Sequence, residues 1–216
     1  MASNNHAEKL GVETTKKLYM SRDTDDDADW TIVSNNNRQS QKSKVFKVHS
    51  LIVKHKSNVL MTMMTGDFIE KKNKMIHLNY FTTMAVQYFI KFMYCFDLDH
   101  DDNLDLETLK ELIEMGDKYN VPDLKKAASK SMEKFFSKDN IFEILDCKIL
   151  HQADALERKA CFKFIINNFE VAQLKKDGIF EKHPDLAVMC LDLLAESRSI
   201  DITDICRNVL TKKKQM

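Results

Sequence analysis

The sequence has few residues that interrupt helices, since its 216 residues include only four glycines and two prolines. Glycine and proline stop helices and form tight turns, and an all-β chain of this length needs many of both. We therefore expect a mostly helical chain. No apolar run approaches the roughly 20 residues that cross a bilayer, and residues 1–10 lack the apolar centre of a secretory signal. This predicts a soluble intracellular protein of the cytoplasm, the nucleus or both, without a membrane partner.

The chain has no excess charge of either sign, because 33 acidic side chains balance 33 basic ones. Nucleic acids and anionic membranes attract proteins with a net positive field, so the balance disfavours both as partners. The basic run Lys212–Lys214 in the tail leaves a nuclear import signal open beside a merely solubilising role. The five cysteines have no paired spacing, which favours reduced thiols over disulfides.

Catalytic and metal-binding motifs are missing as well. The sequence has no phosphate-binding glycine loop, no Gly-x-Ser-x-Gly and no His-Glu-x-x-His. Cys147 and His151 stand four residues apart, but no second pair has zinc-site spacing. The acidic stretch from Asp97 imitates a calcium loop, yet Asp102 replaces its glycine and Thr108 its glutamate. We expect no enzyme activity, no cofactor and no metal.

Hydrophobic spacing predicts an α+β domain with a small three-stranded sheet. β-branched and aromatic residues at Trp30–Val33 and Val45–Val48 predict a hairpin, and Met75–Leu78 alternates like a third strand. The acidic run Asp23–Asp27 is interpreted as a solvated connector, and the domain should end near Phe136. The predicted helices are Glu8–Met20, two short ones between His49 and Gly66, and segments at Val86–Met93, Leu109–Gly116, Leu124–Met132, Ile141–Ile149, Ala155–Phe169 and His183–Glu196.

These segments, in this order, resemble the BTB/POZ family. Phe46–Ser50 is similar to the family's Phe-x-Ala-His-Lys, and Gly116–Tyr119 stands where the family has Ala-Asp-x-Tyr. The stretch from Lys118 onward is similar to the C-terminal half of speckle-type POZ adaptors. The resemblance implies a BTB/POZ fold in which a small sheet packs with helices, followed by a helical BACK-like extension. It also implies structural roles for His49, Tyr94, Asp117 and Tyr119.

The resemblance also suggests how the chain is divided. Residues 1–28 would form an N-terminal helix and acidic connector, and residues 29–136 the BTB/POZ domain. Residues 137–198 would form the BACK-like extension, where Leu150–Asp154 and His183–Leu186 resemble truncated BACK-type helices. Residues 199–216 would be a partly disordered tail.

The most specific match is Phe68-Ile69-Glu70, in the predicted loop before the third strand. Cullin-binding BTB domains have an apolar residue, any residue and glutamate at this place. The resemblance implies that Phe68 fills an apolar socket made partly by the cullin's N-terminal helix, while Glu70 caps or orients the loop. The alternative is that Phe68 packs into its own domain.

The function implied by the resemblance is a non-enzymatic adaptor that docks on a cullin N-terminal domain and brings an unknown substrate to a ubiquitin ligase. The sequence has no recognisable MATH or kelch domain to read a substrate. The alternative is a dimerisation or assembly scaffold, transcription-associated or competing with full-length adaptors, without ligase recruitment. Pairing with itself or with other BTB chains is expected to use the apolar residues Leu10, Leu18, Leu51, Ile52 and Leu60.

Overall fold

The computed structural model of the protein describes residues 2–34, 43–95, 98, 104–146 and 155–198. Within these ranges the chain is mostly helical with one small sheet, which confirms the predicted α+β class. The chain divides into two compact units, Met1–Phe135 and Phe136–Met216. Among the helices that are described, none is both long and apolar enough to span a membrane.

The sheet of the first unit has three strands, β1 (Trp30–Ser34), β2 (Lys44–Val48) and β3 (Met75–Leu78), each within one residue of its prediction. The middle strand, β1, pairs antiparallel with β2, as the predicted hairpin requires, and parallel with β3. A parallel neighbour needs a crossover connection, and the helices between β2 and β3 provide it. Phe46 and Val48 alternate with exposed neighbours and are buried, because successive side chains of a strand point to opposite faces.

The helices of the first unit largely follow the predicted spacing, with one exception before β3. There the predicted loop contains a five-residue helix, whose sequence Ile-Glu-Lys-Lys-Asn has no apolar periodicity to reveal it. The helices are α1 (Ala2–Ser21), α2 (Ser50–Lys56), α3 (Asn58–Thr65), α4 (Ile69–Asn73), α5 (Thr83–Cys95), α6 (Leu106–Lys118) and α7 (Pro122–Met132), followed by a 3-10 turn at Glu133–Phe135.

Local interactions fix the ends of several helices. Asp105 caps the start of α6, because its side chain accepts a hydrogen bond from the amide of Thr108 at 2.7 Å. Pro122 occupies the first turn of α7, where its missing N–H costs nothing. Gly116 lets α6 and α7 approach closely, since a Cβ on it would lie 2.9 Å from the backbone nitrogen of Lys125. The two helices therefore form a tight pair.

The second unit consists of helices joined by short turns in the part that the structure describes. Ser137 and Asn140 exchange hydrogen bonds of 2.9 and 3.3 Å between backbone and side chain, just before the first of its helices. Ile144, Leu145 and Ile165 are buried, as their spacing predicts. The helices are α8 (Ile141–Asp146), α9 (Ala155–Asn168), α10 (Val171–Lys176), α11 (Ile179–Lys182) and α12 (Pro184–Arg198), of which the short α10 and α11 were not predicted.

Candidate partner-binding site

Phe68 lies in the short turn between α3 and α4 and is 49% exposed, which is unusual for a large aromatic side chain. The next residue, Ile69, is 62% exposed, and Met61 on α3 is also exposed. Single exposed apolar residues are common on protein surfaces, but several on one segment mark a candidate contact surface. We call the segment 61–70, with these three side chains, the α3–α4 surface.

The α3–α4 turn has its own backbone support. Gly66 ends α3, and its amide donates to the carbonyl of Thr62 at 2.8 Å. The ammonium of Lys71, on α4, donates back to the carbonyl of Thr65 at 3.1 Å. Helix ends leave carbonyls without intrahelical partners, and these two bonds satisfy two of them. The turn therefore holds Phe68 at a defined place on the surface.

Glu70 occupies the first turn of α4 and is half-buried. The residue in the N-cap position is Phe68, which cannot accept a hydrogen bond through its side chain, and the structure shows no side-chain cap. The carboxylate of Glu70 also has no hydrogen bond or ion pair with any other described residue. Its charge near the positive end of α4 and the lysines in the last turn complement the helix dipole, an orienting effect rather than a cap.

His49 lies at the corner between β2 and α2 and is 7% exposed. Its amide donates to the hydroxyl of Tyr94 at 2.8 Å, and its Nδ1 lies 2.8 Å from the same hydroxyl. Its Nε2 lies 3.2 Å from a carboxylate oxygen of Asp25. This pattern fits an imidazole that accepts the hydroxyl hydrogen at Nδ1 and donates from Nε2 to Asp25. The amide and both ring nitrogens of His49 therefore have partners inside the fold, and these contacts join the corner between β2 and α2 to Tyr94 and to Asp25.

The acidic run Asp23–Asp27 is thus more than a solvated connector. Asp25 is partly buried, and its pKa is lowered, mainly because the amide of Asp27 donates to it and secondly because of His49. Burial raises the pKa of Tyr94 to about 12, so its hydroxyl keeps its proton. The ring of Tyr19 on α1 lies 5.6 Å from that of Tyr94. The cluster ties α1 and the acidic run to α5.

Tyr119 is buried against the rings of Phe81 and Phe89, at centroid distances of 6.3 and 5.4 Å. Its carbonyl accepts the hydroxyl hydrogen of Ser57 at 2.5 Å, and the same hydroxyl accepts the amide of Leu60 at 3.1 Å. Burial raises the pKa of Tyr119 to about 12, with a smaller contribution from Glu114. Tyr119 therefore links the end of α6 to the start of α3.

Asp117 is exposed and pairs with the ammonium of Lys125 at 3.2 Å. The pair connects α6 to α7 beside the close approach at Gly116. Exposed ion pairs of this kind contribute little to stability, so the main effect of Asp117 is to help align α6 with α7.

The residues expected at a dimer contact lie in different environments. Leu51 on α2 is 80% exposed, whereas Ile52 and Leu18 are half-buried. Leu10 belongs to α1, but its side chain is outside the part of the structure that is described. Leu60 is 0% exposed and packs in the core of its own unit, so in this conformation it has no surface to offer a partner. Leu60, on α3, therefore does not belong to an exposed dimer surface in this structure.

The residues weighed as metal ligands lie outside the described residues, as does Lys212–Lys214. Across the described ranges, no group of three or more His, Cys, Asp or Glu residues is placed to hold a metal ion. Cys161 and Cys190 are buried, and burial raises the pKa of the Cys190 thiol. The candidate ligands outside the description are Asp97, Asp99, Asp101, Asn103, Cys147 and His151.

A charged cluster in the second unit escaped the sequence analysis. His183 is 2% exposed, and its Nε2 lies 3.0 Å from a carboxylate oxygen of Asp146, which also contacts Lys182. The guanidinium of Arg158 lies 3.3 Å from Nδ1 of His183 and 2.6 Å from the carboxylate of Asp185. The sequence places Lys182, His183 and Asp185 close together, but it does not show that Asp146 of α8 and Arg158 of α9 join them.

A comparison with models of known protein families identifies the family of the first unit. The family model of the BTB/POZ domain matches residues 18–136, just over half of the chain. The protein therefore belongs to the BTB/POZ domain family, and its first unit is a protein–protein interaction module. A comparison with curated proteins finds none that matches.

Proposed function

We propose that the protein is an adaptor of the speckle-type POZ kind, which recruits partners to a cullin-RING ubiquitin ligase in the cytoplasm or nucleus. The observation that carries the proposal is the half-exposed ring of Phe68 in the α3–α4 turn. Membership of the BTB/POZ family supports it, because such domains work by binding other proteins.

The physical argument concerns the exposed part of one aromatic ring. Aromatic side chains bury large areas and are frequent among the few residues that dominate an interface. Phe68 is exposed enough to enter a partner's apolar pocket, and the turn already fixes its backbone. Glu70 adds a charge beside the ring, at the edge of the contact, where it would favour one orientation of the partner.

Binding to a cullin N-terminal domain tests the proposal directly. The variant Phe68→Ala with Glu70→Ala is expected to bind at least about 30-fold more weakly than the unchanged protein, the loss typical of an interface hot spot. Tyr80→Ala is the matched control, because Tyr80 is another exposed aromatic residue outside the α3–α4 surface. Equal affinity of the double variant and the unchanged protein, measured by calorimetry, would rule out this docking mode.

A scaffold that pairs with itself or with other BTB chains is the second candidate, and it rests on exposed apolar residues elsewhere. Leu51 is 80% exposed and Met20 on α1 is 79% exposed. In water, such side chains gain free energy when a second chain covers them. Light scattering at micromolar concentration should give about twice the chain mass of 25.2 kDa.

Charge placed at these two exposed residues should break the pair. Leu51→Glu with Met20→Glu is expected to shift the protein to the 25.2 kDa species. Val188→Glu, at an exposed apolar residue of α12, is the control and should not shift it. A single 25.2 kDa species from the unchanged protein would refute self-association.

The scaffold candidate includes a competitor that occupies cullins or BTB partners without delivering substrate. Adding the protein to a ubiquitination reaction driven by a full-length adaptor separates these roles. An adaptor that forms mixed active assemblies raises or preserves product formation, whereas a competitor lowers it in proportion to its concentration. The Phe68→Ala, Glu70→Ala variant distinguishes competition for the cullin, which it should lose, from competition for BTB chains, which it should keep.

A further inference from the structure

Gly66 has no side chain, and the ring of Phe68 lies in the space where one would be. Its backbone angles, φ −66° and ψ 175°, are open to any residue, so conformational freedom is not why glycine stands here. A Cβ on Gly66 would lie 2.6 Å from Cε2 and 2.7 Å from Cδ2 of Phe68. Non-bonded carbon atoms prefer separations of roughly 3.5 to 4.0 Å. The ring therefore occupies the space that any other side chain at this position would fill.

We propose that Gly66 is a positioning residue. By leaving space for the ring of Phe68 against the end of α3, it lets the opposite face of the ring point toward a partner. The inference rests on the proposed function, because it concerns the same α3–α4 surface. A ring held in one orientation before binding loses less freedom when a partner covers it. Any side chain at position 66 would turn the ring out of this orientation.

A second contact must be separated from this role. The same Cβ would lie 2.8 Å from the carbonyl oxygen of Thr62, so a side chain at position 66 also disturbs the end of α3. If Gly66 only served to end the helix, its replacement would weaken binding whether or not Phe68 is present. If it acts through the ring, the effect requires the ring. The two cases therefore predict different results in a double-mutant cycle.

The binding arm of the test uses a cullin N-terminal domain as the probe. Gly66→Ala is expected to weaken binding about tenfold, and to add no further loss in a protein that already carries Phe68→Ala. Gly11→Ala is the matched control, because a Cβ on Gly11 meets no atom within 4 Å. An equal loss from Gly66→Ala in both backgrounds would overturn the positioning role.

The spectroscopic arm does not depend on the cullin. In the unchanged protein, NMR should show nuclear Overhauser contacts between the Hα atoms of Gly66 and the ring hydrogens of Phe68. A fluorine label on the ring should shift its resonance in Gly66→Ala and not in Gly11→Ala. Missing contacts in the unchanged protein refute the inference even if Gly66→Ala does not fold. If the cullin does not bind but the contacts and the shift are present, the proposed function fails while the geometry of the ring stands.

Discussion

Each unit of the protein contains a buried histidine, and the two histidines have different kinds of partner. In the first unit, His49 lies between the hydroxyl of Tyr94 and the carboxylate of Asp25. In the second, His183 lies between the carboxylate of Asp146 and the guanidinium of Arg158. The first histidine has one charged neighbour and a neutral partner that is itself buried. The second is placed among charges of both signs.

The difference shows that burial alone does not determine what a histidine does for a fold. The pKa of His183 is lowered, first by burial and then by the positive charges of Arg158 and Lys182, against the opposing effect of Asp146. Its Nδ1 is therefore available to accept a hydrogen bond from Arg158. In the first unit the hydroxyl of Tyr94 takes this place, so a neutral group rather than a cation completes the cluster.

The largest effect is expected from removing that hydroxyl. Tyr94→Phe leaves the amide and Nδ1 of His49 without their buried partner, and each unsatisfied group costs roughly 1 to 3 kcal/mol. We expect the free energy of unfolding to fall by about 2 to 4 kcal/mol. Urea unfolding followed by the fluorescence of Trp30, which is the chain's only tryptophan and lies in β1, measures the first unit.

Tyr80→Phe serves as the control, since Tyr80 is exposed and its hydroxyl can bond to water in either state. Its unfolding midpoint should match that of the unchanged protein. A Tyr94→Phe protein as stable as this control would mean that the cluster does not depend on the hydroxyl.

A smaller loss is expected when the cation of the second cluster is removed. Arg158→Met keeps an unbranched side chain beside Phe162 but loses the contacts with Asp185 and His183. The Nε of Arg158 is buried without a hydrogen bond to a described residue, so losing it offsets part of the cost. We expect a net loss of about 1 to 2 kcal/mol. Amide exchange of α8, α9 and α12 should report the loss locally, and unchanged exchange there would contradict it.

Acid should destabilise the two units at different pH values, because His183 in the second unit and Asp25 in the first titrate in different ranges. The pKa of His183 lies below its ordinary value of 6.5, so the unfolded chain binds this proton first as the pH falls. The second unit therefore loses stability from about pH 6.5 down to the lowered pKa of the folded state, and no further from this group below it. The pKa of Asp25 lies below 3.8, so its contribution to the first unit is lost only under stronger acid.

Amide exchange at about pH 7 and about pH 5.5, corrected for intrinsic rates, tests this separation. His183→Gln is the control, because glutamine can donate to Asp146 and accept from Arg158 without titrating. The decrease in protection of α8 and α12 should disappear in this variant. The same decrease in His183→Gln would assign the effect to another group.

The smallest effect is expected from the exposed edge of the second cluster. Lys182 pairs with Asp146, but its side chain is mostly in water, and exposed ion pairs contribute roughly 0 to 1 kcal/mol. Lys182→Ala should therefore lower the free energy of unfolding by less than about 0.5 kcal/mol. Added salt should make this difference smaller still, because it screens the ion pair. A loss as large as that of Arg158→Met would mean that Lys182 holds the carboxylate in place for His183.

The sequence predicted elements whose pattern is local and missed those that depend on distant contacts. Met75–Leu78 was found because alternation within four residues is enough to indicate a strand. The helix α4 was missed because it is too short for an apolar period to show. The partners of His49 and His183 could not be predicted, since they lie up to 45 positions from the histidine in the sequence.

The candidate site follows the same division. The resemblance of Phe68-Ile69-Glu70 pointed to the α3–α4 surface, but nothing in the residue types reveals that Phe68 is half-exposed. The contact of the ring with Gly66 depends on how the chain turns after α3, which the residue types alone do not reveal. Leu60 shows the converse, because an apolar residue at helical spacing can be core or contact surface, and here it is core.

The parallel pairing of β1 with β3 sets the order in which the chain can assemble during synthesis. About 40 residues separate Ser34 from Met75, so this pairing closes a longer loop than the hairpin of β1 with β2 and costs more chain entropy. Phe68 lies inside that loop. We therefore expect pulse-labelled exchange to protect the hairpin amides before those of β3, and a nascent chain to expose Phe68 on an unfinished surface until β3 has left the ribosome.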